Sequence, residues 1–448
     1  MKVKIFIVCC MCAFISCDNK DEATHGIDKI ELTQEEYTSI AFDEPKEITD
    51  SEALELVNSF SGTHITRSSG VSTRIKKKFY VTVGCDNEVQ TANTRSVSGY
   101  SIPIYEIELE DDDVIGCSLV SADERCPAVL AYIPIISKSE SSQNIGVELM
   151  TEMAEKAVLS SIAKVEAIKD SLREKTLFKL AKILNKKAGT ISFTQIKDLI
   201  KIMQNATTRS EQVEFPSNGA LQSEVLPMVK VTWDQVAPYN RKLKQACYYD
   251  IYDGYEGRYA AGCAVVCIAH ILSCFEPPMF ADGITINWKL LKSSPKVKVT
   301  DSSERINQVS TLMKFIGNRT NTQYSCDTGG STNTKTAIEK FLPLYNIVTD
   351  SRSSWDANRV KSSLGTNSTN AKPIIITGTC DRGNHAWVLD GFQKRANLFV
   401  GEFYYVHANM GWSGNGDGYF LINNSMSFQT GGDDYNRNIN IYPNVRKK

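Results

Sequence analysis

A polar stretch near the middle of the chain, Gln204-Asn205-Ala206-Thr207-Thr208-Arg209-Ser210-Glu211, leads into the turn residues Pro216-Ser217-Asn218-Gly219. It separates two textures, short β-rich runs and a long helical stretch before it, glycine-punctuated segments with Trp and Tyr after it. A chain of 448 residues is too long for one ordinary core, so the seam reads as a boundary between modules. An exposed polar tip with a single arginine, Arg209, is a place where a protease nicks a folded chain; a plain linker has the same composition.

Upstream of the seam, Ile48-Thr49-Asp50-Ser51-Glu52-Ala53-Leu54-Glu55-Leu56-Val57 reads as a capped amphipathic helix. Strand-like runs follow at Phe79–Val83, Tyr105–Leu109, Gly116–Val120 and Ala128–Tyr132, and residues 146–186 carry Ala, Leu, Lys and Glu at helical spacing. The expectation is an α+β module with a helical return.

The first residues are a leader. Lys2 and Lys4 precede the apolar run Ile5–Ile15, then Ser16-Cys17, then polar Asp18-Asn19-Lys20-Asp21-Glu22. The run is too short to span a bilayer comfortably. A cysteine directly after Phe14-Ile15-Ser16 resembles the bacterial lipobox, whose thiol is acylated, and Lys20-Asp21-Glu22 resembles a surface-export signal. The expectation is a lipoprotein signal at 1–17, lipidation at Cys17, and a secreted or cell-envelope product touching a membrane only through that lipid. The alternative is an ordinary signal peptide that contains cysteines. The net charge of -2 gives no basic excess, so no nucleic acid partner is expected.

Of thirteen cysteines, six lie beyond residue 210, at no regular framework spacing, in a chain large enough to fold without staples. Cys263 follows Ala261-Gly262 and opens an apolar helical pattern from Ala264 to Phe275. A thiol at a helix N-terminus meets free N–H groups and the positive dipole end, which favour thiolate. Such a thiolate is a nucleophile, though a lone cysteine in an apolar run is also a small core residue. Cys267, His270 and Cys274 share one helical face; thiolate and imidazole suit zinc, but one apolar face is normally core, so no metal is expected. His270, seven residues along the helix, would sit roughly 10 Å from Cys263, too far to act as its base. His385 follows the strand-like run Pro373–Gly378 and a turn, and opens the strand Ala386–Phe392. It reads either as a base facing a helix start or as a structural histidine on a hairpin.

Four segments then form a recognisable order: Trp233-Asp234-Gln235-Val236-Ala237-Pro238-Tyr239-Asn240, Ala261-Gly262-Cys263, Gly383-Asn384-His385-Ala386-Trp387-Val388-Leu389-Asp390-Gly391-Phe392, and His407-Ala408-Asn409-Met410-Gly411-Trp412-Ser413-Gly414. They resemble the streptopain family of bacterial secreted cysteine proteases. Thr49–Leu54 resembles the start of the family propeptide, and Gly116–Arg125 with Ala128–Tyr132 resembles its core strands.

The resemblance implies an α+β fold, a papain-like two-lobed peptidase domain at 210–448 preceded by an inhibitory α+β propeptide at 18–209. It implies Cys263 as nucleophile, His385 as general acid/base, Gln235 as oxyanion donor and Asn409 as the amide that orients the imidazole. Trp412 would wall the cleft, and Gly330 and Ser331, in Gly329-Gly330-Ser331, would flank the substrate. Protein or peptide substrates and the chain's own propeptide are the implied partners; no cofactor is implied. Two departures stand out: Met410 replaces the family's first tryptophan of the turn, and Ser413 replaces a glycine. The rival expectations are a weakly active or inactive surface binding protein with a protease fold, which Met410 favours, and a transferase or amidase use of the same Cys–His pair.

Overall fold

The computed structural model describes residues 29–61, 71–83, 89–92, 101–111, 114–136, 144–203, 218–247, 254–326, 329–380, 383–397, 401–422 and 439–448. The expected leader with Cys17 and the expected cleavage seam with Arg209 lie outside the described residues.

Before the seam come β1 (Ile30–Leu32), α1 (Gln34–Ala41), α2 (Asp50–Ser61), β2 (Ser72–Val83), β3 (Val89–Ala92), β4 (Ser101–Asp111), β5 (Val114–Ser121), β6 (Ala128–Ile133), α3 (Ile145–Leu184) and β7 (Ile200–Ile202). After it come β8 (Ala220–Val225), α4 (Cys263–Phe275), α5 (Ser303–Arg319), β9 (Gln323–Ser325), β10 (Gly329–Ser331), β11 (Ser353–Ser354), α6 (Ala357–Leu364), β12 (Ile374–Cys380), β13 (Gly383–Asn397), β14 (Gly401–Asn409), β15 (Gly418–Ile422) and β16 (Ile439–Tyr442), with single-turn pieces between. This mixture of helix and antiparallel sheet is compatible with an α+β class.

Local chemistry explains the main helix starts. Thr49 and Glu52 cap α2 reciprocally: Glu52 N–H donates to Thr49 Oγ1 at 3.3 Å and Thr49 N–H donates to Glu52 Oε2 at 2.7 Å. Asn144 caps α3 by accepting the Val147 N–H at 3.2 Å. That helix buries Val147, Met150, Ala154, Ala157, Val158 and Ile162 along one side, the helical spacing visible in the sequence.

One sheet joins both sides of the seam. Its order is β11-β16-β12-β13-β14-β15-β6-β5-β4-β2-β3, with β8 beside the far half of β13. The junction is β15 on β6, where Tyr419 pairs with Tyr132 and Phe420 with Ala131. Phe60 of α2 sits beneath it, its ring 5.5 Å from Tyr132 and 4.8 Å from Tyr405. Asn218, just past the seam, donates to the Leu56 carbonyl at 2.6 Å and accepts from Val129 N–H at 2.9 Å. The upstream and downstream halves therefore share core as well as strands. Truncating the fully buried Phe60 to alanine would cost about 3–5 kcal/mol.

A second core surrounds α4, with Val265, Ile268 and Leu272 packed among Leu312, Met313 and Ile316 of α5. A disulfide, Cys247–Cys326, ties the loop after the Gln235 segment to the end of the β9–β10 hairpin. The spacing of the cysteines gave no sign of it. No helix among the described residues is long and apolar enough to cross a membrane.

Candidate active site

Cys263 is the first residue of α4, half-buried, and preceded by Gly262 with φ 95°. A side chain at Gly262 would be strained by that φ and would also strike the Gly330 carbonyl, whose oxygen lies 2.5 Å from the ideal Cβ position. The Ala-Gly-Cys sequence thus lets the β10 backbone press against the residue before the thiol. Gly330 reaches the site through its main chain, whereas Ser331 is exposed at the end of the strand. Burial pushes the Cys263 thiol up, opposed by nearby N–H groups of Ala386, Ala264 and Cys263 itself.

The Ala386 N–H beside the thiol shows how β13 approaches α4. One turn on, Cys267 Sγ donates to the Trp387 carbonyl at 3.4 Å. His385 is therefore carried to the edge of α4 by its own strand, paired opposite Gly378 of β12. Its ring stacks on Trp387, centroids 5.6 Å apart at 16°, and meets Trp412 edge-on at 6.2 Å and 71°. His385 Nε2–H donates to the Met410 carbonyl at 3.0 Å, which leaves Nδ1 as the acceptor nitrogen. Burial pushes the imidazole down to about 4, against the upward pull of that carbonyl. The side chain is only 5% exposed.

Part of its cover comes from the upstream module. At Gly146, in the first turn of α3, an ideal Cβ would lie 3.0 Å from His385 Cδ2 and 2.6 Å from Met410 Sδ. The neighbouring Ile145 and Val147 approach Gly383 and Gly416, and Asn144 donates to the Asn415 carbonyl at 3.5 Å. No sequence periodicity predicts that a glycine 239 positions away lies on this ring.

Asn409 is buried at the end of β14, where its amide donates to the Val231 carbonyl at 2.9 Å and accepts the Gly411 N–H at 3.2 Å. In this structure the imidazole is held by Met410 O, and Asn409 shapes the turn that presents that carbonyl. The Met410 side chain differs from the family's tryptophan, but the contact to His385 is made by the main chain, which any residue supplies. Met410 N–H in turn donates to Asp417 Oδ1 at 2.6 Å.

Gln235 is partly buried, and its carbonyl accepts the Ala261 N–H at 2.9 Å, fixing its backbone two residues before the nucleophile. Asp390 of the β13 motif is fully buried: its Oδ2 accepts Val229 N–H at 2.9 Å and its Oδ1 accepts the His407 Nδ1–H at 2.6 Å. That pair anchors the chain leading to Trp233. His270 Nε2 accepts the Trp233 N–H at 3.0 Å from the buried side of α4. Among the described residues, no group of three or more His, Cys, Asp and Glu side chains is arranged to hold a metal ion.

A thiol at a helix start, a histidine on the strand that approaches it and a glutamine whose carbonyl is tied to Ala261 are the kinds of group that a Cys–His peptidase uses. The Peptidase C10 family matches residues 233–420, a span holding Gln235, Cys263, His385 and Asn409. Over that span the match supports the resemblance to the streptopain family of cysteine peptidases. No curated protein matches the chain.

Proposed function

We propose that this chain is a secreted, lipid-anchored cysteine endopeptidase made as a latent precursor. Cys263 gives its thiol proton to His385 Nδ1 and attacks the peptide carbonyl as the thiolate, and the Gln235 amide with the Cys263 N–H receives the developing oxyanion. His385 protonates the leaving amine through Nδ1 while Met410 O holds Nε2–H, and water then hydrolyses the thioester. The residues need no cofactor for these steps. The role of Asn409 is to fix the turn that carries Met410.

The observation that carries the precursor reading is Gly146 on His385. The first turn of α3 packs on the Cδ2 edge of the imidazole, and it belongs to the half expected to be the propeptide, residues 18–209, so that half touches the base directly. Cleavage at Arg209 would break no strand pair among the described residues, because β7 ends at Ile202 and β8 begins at Ala220. Trp412 and the Gly330 backbone would border the substrate on either side of Cys263. Cys17 would carry the lipid on the upstream half, and release of the mature part would need that cut followed by separation of β15 from β6.

The binding-protein alternative rested on Met410, and that support weakens once the histidine contact is seen to be a main-chain one. The test is limited trypsin treatment of the full-length chain, followed by assay on an unblocked protein substrate. Latency before cleavage and Cys263-dependent hydrolysis after it is the expected result. Full hydrolysis by an Arg209→Ala chain that remains intact would remove the precursor reading.

A further inference from the structure

Ser413 stands in the turn beside Trp412 with φ 57°, a left-handed conformation that glycine adopts freely and serine does not. A serine kept there needs an offsetting contact, and it has one. Its Oγ–H donates to Asp234 Oδ2 at 2.5 Å, and its N–H donates to the Trp233 carbonyl at 3.4 Å. Asp234 Oδ1 accepts the N–H of Gln235 at 2.6 Å. One carboxylate therefore grips both the residue after Trp412 and the backbone of Gln235, across a separation of 179 positions.

We propose that Asp234 and Ser413 are a positioning pair that locks the oxyanion donor Gln235 against the tryptophan turn. The inference rests on the peptidase reading above and adds a specific job for two residues outside the nucleophile, base and donor. The rest of the segment is already tied down. Trp233 N–H is held by His270 and the Gln235 carbonyl by Ala261 N–H, so the remaining freedom of the Gln235 peptide is rotation about its own N–H side. Asp234 removes that freedom, and Ser413 fixes Asp234. Burial pushes the Asp234 carboxyl up, while the Ser413 hydroxyl and the Gln235 N–H pull it back.

Ser413→Gly isolates the hydroxyl, because glycine accepts φ 57° and folding is not put at risk. In the full-length chain after limited trypsin cleavage, kcat should fall about tenfold with KM within about twofold, since only transition-state charge stabilisation is loosened. Affinity for a peptide aldehyde, which forms a tetrahedral adduct needing the oxyanion site, should fall by about the same factor. Alkylation of Cys263 by iodoacetamide, a displacement that needs thiolate but no oxyanion donor, should stay at the wild-type rate. Asp234→Ala should reproduce the loss, the double variant should add little to it, and Asp234→Asn, which keeps an acceptor for Gln235 N–H, should restore most of kcat. Wild-type kcat in the Ser413→Gly variant, strictly additive losses, or alkylation falling in step with turnover would overturn the pair. Absence of Cys263-dependent turnover in the wild-type chain would instead overturn the peptidase reading beneath it.

Discussion

Gly146 packs on His385: the ideal Cβ of this upstream glycine falls 3.0 Å from the imidazole Cδ2 and 2.6 Å from Met410 Sδ. The contact spans the seam, so the size of residue 146 sets how closely the upstream half can pack on the base and on Met410. Gly146→Val should force α3 off the ring and raise hydrolysis by the uncleaved chain at least several-fold. Basal activity of intact Gly146→Val against wild type measures this, and an unchanged basal rate would mean that the cover over His385 lies elsewhere.

His385→Ala removes both thiolate pairing and leaving-group protonation, so turnover should drop by orders of magnitude. Gln235→Ala should cost about 10²–10³ in rate with KM nearly unchanged, the mark of one lost oxyanion donor. A Gln235→Ala effect confined to KM would make this residue a substrate contact.

Met410 offers the opposite expectation. Because its carbonyl holds His385 Nε2 and its N–H goes to Asp417, the side chain can change without breaking either bond. Met410→Leu, similar in volume, should keep kcat/KM of the cleaved enzyme within a few-fold. A loss of a hundredfold or more would show that the thioether itself orients the base.

Burial, above all, pushes Asp417 up from 3.8 to about 7, against the pull of His407 and the Met410 N–H. Between those values the folded chain keeps a proton that the unfolded chain releases. The stability from this group is therefore full below about 3.8, declines as pH rises above that, and is gone once pH passes about 7. Asp417→Asn keeps an oxygen for Met410 N–H and does not ionise. The melting midpoint of the variant, relative to wild type, should climb from about pH 4 to about pH 7 and level off above that. Parallel midpoint curves would contradict the assignment.

Much of the architecture was legible in the sequence because it is encoded locally. The Thr49–Glu52 capping box starts α2 where expected, the runs at 79–83, 105–109, 116–120 and 128–132 all lie inside strands, and the helical spacing of 146–186 becomes α3 at 145–184. Cys263 opens α4 because Gly262 permits the backbone conformation before it, and His385 lies near the start of β13, which pairs antiparallel with β12. What escaped is non-local. The Cys247–Cys326 disulfide, the Asn409 bonds to Val231 and Gly411, and the Asp234–Ser413 pair depend on how distant segments meet. Gly146 was invisible for a further reason: its effect is the space it leaves for His385, and an absent side chain has no periodicity.

The most direct test of the account is to find which atom a substrate-like electrophile captures. The full-length chain, cleaved with trypsin, would be treated with a peptidyl halomethyl ketone and its modified residue located by mass spectrometry. The account predicts one adduct per chain, on Cys263, lost together with hydrolysis in Cys263→Ala and retained in Cys267→Ala and Cys274→Ala. An adduct on Cys267 or Cys274, or hydrolysis that survives in Cys263→Ala, would contradict it.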